Sequence, residues 1–317
     1  MNRYGHFGPA VWPCFVVLAC LLLVLGCQDG SGPGLVTSPE GKPAYEAAKP
    51  PPTPPPAADP AIAYVVERAN GDSELKVMNA DGSNQTTIFT GTWLLDTPSW
   101  SPDGQSVTFA WNHDLWLIDV EVVGGVPTGS NARVLLDRSE NLFSPAWSPL
   151  GDRIAFVDVA LRTIETIDPA TREEVVLYSS PSGGLSSPTW NADATKIAFV
   201  EGGAVRVLNL GSASVTTVLE SAWGQQFSGG PGALDWARTQ DAVAFSVGSE
   251  RSHDLAVYVM QLPGTPTFVV AGANPTWSPN DQGILFVARQ GFSKIDLATG
   301  QITRVGGTGT WPDWLRF

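Results

Sequence analysis

The sequence predicts an all-β fold: a six-bladed β-propeller whose blades are four-stranded antiparallel sheets. Three observations support this prediction. A tryptophan motif recurs at intervals of 47, 43, 46 and 41 residues, turn residues separate short apolar runs, and the two chain ends supply complementary parts of one unit. Internal repeats of this length are typical of propellers and solenoids. The 33 glycines, 26 prolines and only 15% charged residues suit short strands joined by tight turns.

Each repeat begins with a Trp strand, followed at positions +7 and +9 by an aliphatic residue and a phenylalanine. The five Trp strands carry Trp100, Trp147, Trp190, Trp236 and Trp277. Ser-Pro-x-Gly follows Trp100 and Trp147, and Ser-Pro-Asn-Asp281 follows Trp277. These segments predict tight turns, because proline and glycine fix the turn backbone. Two further strands complete the repeat, for example Leu115–Asp119 and Arg133–Leu136. Four strands per repeat correspond to one propeller blade, and we expect the Trp and Phe series to pack between blades.

The ends of the repeat region are incomplete repeats that complement each other. Residues Ile62–Tyr64 and Leu75–Asn79 match the later strands of a blade without a preceding Trp strand. Residues Asp313–Phe317 contain a Trp strand that no blade follows. Pairing of these N- and C-terminal strands in one blade would close the ring and remove the exposed edges of an open array. We therefore expect the propeller to occupy residues 61–317.

Residues 1–27 are interpreted as an export signal. A 13-residue apolar run ending at Gly26 has the length of a signal sequence and is short for a membrane span. The final Val-Leu-Gly-Cys27 resembles the lipobox of bacterial lipoproteins. The resemblance implies lipidation of Cys27 and anchoring on the periplasmic face of the outer membrane or at the cell surface. The alternative is an ordinary cleaved signal. Residues 28–60, rich in glycine and proline, are expected to form an extended tether.

Composition argues against several functions. A net charge of −13 without a basic cluster argues against nucleic-acid binding. All three cysteines lie within the first 27 residues, so no disulfide or cysteine-ligated metal is expected in the propeller. The two histidines outside the signal lack zinc-binding spacing, and neither a Gly-x-Ser-x-Gly elbow nor a phosphate-binding loop occurs. We predict no catalytic residues, no metal and no cofactor.

Loop residues supply a different kind of candidate site. In a propeller, the loops entering the inner strands and those between second and third strands surround one mouth of the channel. Aromatic rings with a few basic donors suit recognition of a peptide or sugar. The predicted binding residues are Trp93, Trp111, His113, Phe143, Trp223, Phe227, Arg251, His253 and Trp311. The alternative is that these aromatic side chains pack between the blades.

Three carboxylates, Asp96, Asp235 and Asp313, lie on or just before inner strands. We expect them to be solvated in the channel. The alternative is a cation site, since carboxylate oxygens suit Ca²⁺.

The repeat also resembles a known family. Leu75-Lys-Val-Met-Asn-Ala-Asp-Gly82 and Pro98-Ser-Trp-Ser-Pro-Asp-Gly104 are similar to the repeat of the TolB-type, WD-repeat-like β-propeller family. This resemblance implies the fold of residues 61–317. Docking of that family on a peptidoglycan-associated lipoprotein is not carried over, because a proline tether stands where TolB has an α/β domain. In addition, the repeats at Trp190 and Trp236 lack the Ser-Pro-x-Gly turn.

Together these features predict a lipid-anchored, non-catalytic binding or scaffold module of the bacterial cell envelope. One propeller face would meet a protein or glycan partner, and only the lipid would contact the membrane. The alternative is an enzyme that processes envelope glycans or peptides at the channel mouth, because groups from separate blades can form a site without a local motif. A third possibility is a structural remnant of a larger repeat protein.

Overall fold

The computed structural model describes residues 62–92, 95–138, 141–220, 234–248 and 255–316. In these ranges the chain forms 24 strands, arranged in six four-stranded antiparallel sheets, and no helix. The predicted signal 1–27 with Cys27 and the predicted tether 28–60 lie outside the described residues. No helix in the described ranges has both the length and the apolar character that crossing a membrane requires.

The strands are numbered β1 to β24 along the chain, and each sheet is one blade. Blade 1 contains β1 (Ile62–Glu67), β2 (Asp72–Met78), β3 (Thr86–Thr92) and β24 (Thr310–Trp314). Blade 2 contains β4 (Leu95–Trp100), β5 (Ser106–Trp111), β6 (Asp114–Val123) and β7 (Val126–Leu136). Blade 3 contains β8 (Leu142–Trp147), β9 (Ile154–Asp158), β10 (Thr163–Ile167) and β11 (Glu174–Ser179).

Blade 4 contains β12 (Leu185–Trp190), β13 (Lys196–Glu201), β14 (Ala204–Asn209) and β15 (Ser214–Leu219). Blade 5 contains β16 (Leu234–Trp236), β17 (Ala242–Val247), β18 (Ala256–Gln261) and β19 (Thr267–Ala271). Blade 6 contains β20 (Ala273–Trp277), β21 (Gly283–Ala288), β22 (Gly291–Asp296) and β23 (Ile302–Gly306).

The predicted closure of the ring is confirmed. Strand β24 pairs antiparallel with β1, with Ile62 opposite Trp314 and Ala63 opposite Asp313. The inner strands β4, β8, β12, β16, β20 and β24 each contact the next one around the ring. The chain therefore forms six blades around a central channel, and blade 1 contains strands from both ends of the propeller.

Six apolar clusters hold the ring together, one at each junction between neighbouring blades. Strand β9 shows how the sequence produces this arrangement, since all five of its residues are buried. Ile154 and Phe156 pack towards blade 2, whereas Ala155 and Val157 pack towards blade 4. Side chains alternate between the faces of a strand, so a blade covered on both faces needs a continuous apolar run. Burying each large side chain contributes roughly 1.5–3 kcal/mol.

The tryptophan and phenylalanine series fills these junctions, as the repeat predicts. Trp236, Trp277, Phe156 and Phe199 are among the largest fully buried side chains. The turn after the Trp strand is held by its own polar residues: Asp103 Oδ1 accepts hydrogen bonds from Ser101 Oγ at 2.6 Å and from the Gln105 N–H at 3.0 Å. These turn carboxylates are therefore structural.

The third and fourth strands of blade 2 are longer than predicted. Strand β6 has 10 residues and β7 has 11, in place of Leu115–Asp119 and Arg133–Leu136. The extension ends in a two-residue turn in which Gly124 and Gly125 have φ of 60° and 84°. Positive φ at both central residues is the geometry of a type I′ hairpin turn, which glycine adopts without strain.

Candidate functional site

The inner strands share a β-bulge that shapes the channel. In each described inner strand that contains proline, the residue before the proline has a positive φ, and the pairing with the next strand shifts register at that point. These residues are Thr97, Ser144, Ser187, Asn274 and Trp311, with φ between 28° and 53°. A bulge re-aims the side chains that follow it. In most of these strands the side chain directly before the tryptophan consequently reaches the neighbouring blade, and Asp235 does so from β16, whose described residues have no bulge.

A ring of hydrogen bonds results from this geometry. At five of the six junctions, the side chain before one Trp accepts a hydrogen bond from the backbone N–H of the next blade's Trp, at 2.7–3.4 Å. The acceptors are Ser99, Thr189, Asp235, Thr276 and Asp313, and the donors are the N–H groups of Trp147, Trp236, Trp277, Trp314 and Trp100. At the remaining junction the Trp190 indole Nε1–H donates to the Ala146 carbonyl at 3.0 Å.

Arginine side chains cross the lower end of the channel, where the inner strands end. Arg316 follows β24 of blade 1 and reaches blade 5, where Nη2 donates to Asp235 Oδ1 at 2.7 Å and Nη1 to the Trp236 carbonyl at 2.8 Å. Arg238 Nη2 in turn donates to the Arg316 carbonyl at 3.0 Å. Burial raises the pKa of Asp313 to about 7, although the Arg316 charge opposes this shift. Burial also lowers the pKa of Arg238 to about 10.

The channel carboxylates are engaged by protein groups, so the prediction that they are solvated is wrong for Asp96 and Asp235. Asp96 is 2% exposed and Asp235 is 8% exposed. Asp313 is partly buried and accepts the Trp100 N–H at 2.7 Å. Within the ranges that the structure describes, no group of three or more His, Cys, Asp or Glu side chains is placed to hold a metal ion.

A notch lies on the upper face, where the inner strands begin, at the junction of blades 2 and 3. Its volume is about 200 Å³, and its walls include Trp111, His113 and Phe143. Asn112 and His113 have φ of 53° and 75°, so the β5–β6 turn is a type I′ turn that presents His113 to solvent. The His113 carbonyl accepts the Leu142 N–H at 3.1 Å, which joins this turn to β8.

Aromatic contacts fix the walls of the notch. The His113 and Phe143 rings meet edge to face with centroids 6.4 Å apart. Trp111 packs edge to face on Trp116 at 4.9 Å and on Phe89 at 5.0 Å. Its indole Nε1–H donates to the Thr92 carbonyl at 2.9 Å. Trp111 therefore combines the two predicted roles, since one part packs in the blade and another lines the notch.

Asp96 forms the base of the notch, a position that sequence analysis did not assign to the binding face. Its Oδ1 accepts the Thr97 hydroxyl at 2.6 Å, and its Oδ2 accepts the Ser144 N–H at 3.4 Å. Burial raises its pKa to about 6, and these hydrogen bonds partly offset the effect. The hydrogen bond to Ser144 also links the inner strand of blade 2 to that of blade 3.

The other predicted binding residues are placed as follows. Trp311 lies in β24 at the bulge, lines the channel, and packs partly against the apolar cluster between blades 1 and 2. Trp93, Trp223, Phe227, Arg251 and His253 lie outside the described residues. The structure thus brings Trp111, His113 and Phe143 together at one notch, and places Trp311 at the channel.

Similarity to known proteins agrees with this architecture. Two curated relatives bear the name Tol-Pal system protein TolB: the one from Actinobacillus succinogenes is 42% identical over 48 residues, which is 15% of this chain and 11% of the relative. The one from Rhizorhabdus wittichii is 35% identical over 92 residues, which is 26% of this chain and 18% of the relative. The chain therefore matches less than a fifth of the length of each of these relatives. No family model matches the sequence.

Among solved structures, TolB from Acinetobacter baumannii superposes with a TM-score of 0.65 at 17% identity, covering 83% of this chain and 68% of that one. The blades, their closure and the repeated bulge define the chain as a six-bladed β-propeller with four-stranded blades. Its repeats and its matches to these proteins support, more particularly, a TolB-type propeller fold.

Proposed function

We propose that this propeller is a non-catalytic binding module of the bacterial cell envelope that presents its upper face to a protein partner. The observation that carries the proposal is the notch at the junction of blades 2 and 3, where Trp111 of β5, His113 of the β5–β6 turn and Phe143 of β8 converge. Aromatic side chains held rigidly around a pocket are typical of interface anchor sites. The names of the curated relatives, which refer to the Tol-Pal system, support a protein as the partner.

The side chains that line the channel are engaged with one another and leave little space, which favours docking of a partner on the loops over a reaction inside the ring. Polar side chains of the inner strands hold neighbouring blades together: Thr189 accepts a hydrogen bond at 3.1 Å and Asp235 accepts one at 2.8 Å. Arg316 crosses the lower end, and the remaining cavity is only about 80 Å³. These side chains are engaged in holding the blades together, and a cavity of this size is small for a ligand site inside the ring.

We also propose that the propeller is exported and anchored through a lipid on Cys27, with residues 28–60 as a tether. The lipobox-like segment and the Lys-Pro-Pro-Pro-Thr-Pro-Pro-Pro56 run support this, because proline-rich segments are extended at about 3 Å per residue. Metabolic labelling with an alkyne-bearing fatty acid should mark the wild-type chain and not the C27S variant. Labelling of C27S would contradict the anchor.

The docking face is tested by crosslinking capture from native envelopes, with the full chain as bait. We expect a stoichiometric protein partner that is lost with the H113A/F143A double variant. The matched control is F268A, which removes a phenylalanine that is 57% exposed on the outer strand β19, away from the notch. Equal capture by the wild type and H113A/F143A would refute docking at this face. Capture of glycan in place of protein would refute the proposed class of partner.

A further inference from the structure

Within the part of the propeller that the structure describes, Asp96 differs from the other buried carboxylates because no arginine accompanies it. Among the described residues, four buried carboxylates form ion pairs with arginine, and Asp281 lies in the field of Arg238 and Arg316. The pairs are Asp158 and Glu165 with Arg138, Glu201 with Arg206, and Asp235 with Arg316. Buried charges are normally paired, since removing a charge from water is costly unless an opposite charge compensates it.

The partners that the structure gives Asp96 are neutral. They are the hydroxyl and the N–H of Thr97 and, at a long 3.4 Å, the N–H of Ser144. A carboxylate has about four lone-pair positions, so capacity remains on the side that faces the notch. Arg138, whose backbone N–H donates to nearby Asp114, directs its guanidinium to carboxylates of blade 3. It therefore supplies no counter-charge to Asp96.

The aromatic walls of the notch suit a cationic ligand, as does the carboxylate of Asp96 at its base. Trp111, His113 and Phe143 surround a cavity of about 200 Å³ above the carboxylate. Faces of aromatic rings attract cations, and tryptophan does so most strongly. A long cationic side chain combines an apolar stem with a charged head, so it matches apolar walls above a buried carboxylate.

We propose that this notch binds a lysine or arginine side chain of the protein partner, with the cationic head against Asp96 and the stem between Trp111 and Phe143. The proposal rests on the function proposed above, because it assigns the chemistry that the partner presents to the upper face. The net charge of −13 further favours a basic segment as the partner's contact surface.

Protonation of Asp96 should weaken this site. Burial raises its pKa, so mild acidification removes the charge that the cation meets. Strand β4 packs against β1, β2, β5, β8 and β24. The titratable groups of these strands are Tyr64, Glu67, Asp72, Glu74, Lys76 and Asp313, and the β5–β6 hairpin adds His113 and Asp114. Because His113 also lines the notch, the H113N variant serves to separate its contribution from that of Asp96.

The test is an NMR titration of the ¹⁵N-labelled full chain, followed through the Trp111 indole N–H, which is assigned with W111F. The probe is Nα-acetyl-lysine-N′-methylamide, and the neutral control is Nα-acetyl-norleucine-N′-methylamide, which keeps the four-carbon stem and lacks the ammonium. We expect a saturable shift with the lysine probe at pH 7.5. Binding should be at least roughly tenfold weaker for the norleucine probe, for D96N, and for the wild type at pH 5.

D137N is the matched control variant, since it removes an exposed negative charge near Asp114 and leaves Asp96 in place. Binding to D137N should stay within about twofold of wild type, because exposed charges are screened.

Equal binding of both probes, or undiminished lysine binding to D96N or at pH 5 in H113N, would overturn the proposal. If H113A/F143A abolishes partner capture while the lysine probe does not bind, the cation site is wrong and the docking face stands. If the lysine probe binds while H113A/F143A still captures the partner, the cation site stands and the docking face is wrong.

Discussion

Replacing Asp96 with asparagine should stabilise the propeller at neutral and alkaline pH. Burial raises the pKa of Asp96 from 3.8 to about 6, so the folded chain holds this proton more tightly than the unfolded chain does. The stability that the proton contributes is fully present below the unfolded pKa and is lost as pH rises through the folded pKa. A shift of about 2 units at 1.36 kcal/mol per unit corresponds to about 3 kcal/mol between the two limits.

Between pH 8 and pH 5 this linkage changes the free energy of unfolding by about 1.4 kcal/mol, or about 3–5 °C in Tm for a domain of this size. Asparagine retains an oxygen that accepts the Thr97 hydroxyl and has no charge to bury. The stability advantage of D96N over the wild type should therefore be largest at pH 8 and should fall by about 1.4 kcal/mol at pH 5.

The assay is urea unfolding followed by tryptophan fluorescence at pH 8, 7, 6 and 5. D103N controls for the loss of one negative charge, because Asp103 occupies a turn position where blade 6 already carries Asn280. A difference between D96N and wild type that is the same at pH 8 and pH 5 would refute the assignment of this pH dependence to Asp96.

Three further predictions concern the architecture, each measured by urea unfolding. T189V should lower the free energy of unfolding by about 1–3 kcal/mol, because it leaves the Trp236 N–H buried without its acceptor. T189S keeps the hydroxyl and should retain most of that stability. R316M should lower the free energy of unfolding by about 3–5 kcal/mol, because it leaves Asp235 buried without its counter-charge. The R316M/D235N double variant should recover part of this loss. Additive effects of the two substitutions would contradict coupling of the pair. G291A should lose more than G300A, since both glycines have positive φ but only the Gly291 Cβ would lie 1.9 Å from a carbonyl oxygen; equal losses would contradict this packing.

The fold was predictable because its signals are local and repeated. Each Trp strand and the turn after it are defined by adjacent residues, and five copies of the Trp strand fix the blade length. The length of the β6–β7 hairpin was not predictable from the repeat, because Gly124 and Gly125 provide their own turn beyond the repeat pattern. The closing blade followed from two incomplete ends that complement each other.

The candidate site was only partly predictable because its residues meet across blades. His113 and Phe143 belong to different blades, and their ring contact depends on the packing angle at the junction. Asp96 lies directly before the bulge at Thr97 and lines the notch, where it contacts Thr97 and, in blade 3, Ser144. The repeat correctly indicates that Asp96 lies on an inner strand, but the prediction that it is solvated in the channel is wrong, because its side chain is buried at the notch.

One signal in the sequence could have revealed the hydrogen-bond ring. Five of the six inner strands carry Ser, Thr or Asp directly before the tryptophan, at the same repeat position each time. The degenerate turn of blade 5 also has a physical explanation. Arg238 replaces the turn proline there, and its guanidinium binds the carbonyl of Arg316.

The pairing of β24 with β1 also determines when the ring can close as the protein is made. Strand β1 is made before the other strands of the propeller and β24 after them, so blade 1 is three-stranded until β24 is available. During that time β1 presents an unpaired edge, and the acceptor that Trp100 finds in Asp313 has not yet been made. A product that stops before residue 310 cannot complete the circle, and its open strand edge would mark it for chaperones or proteases.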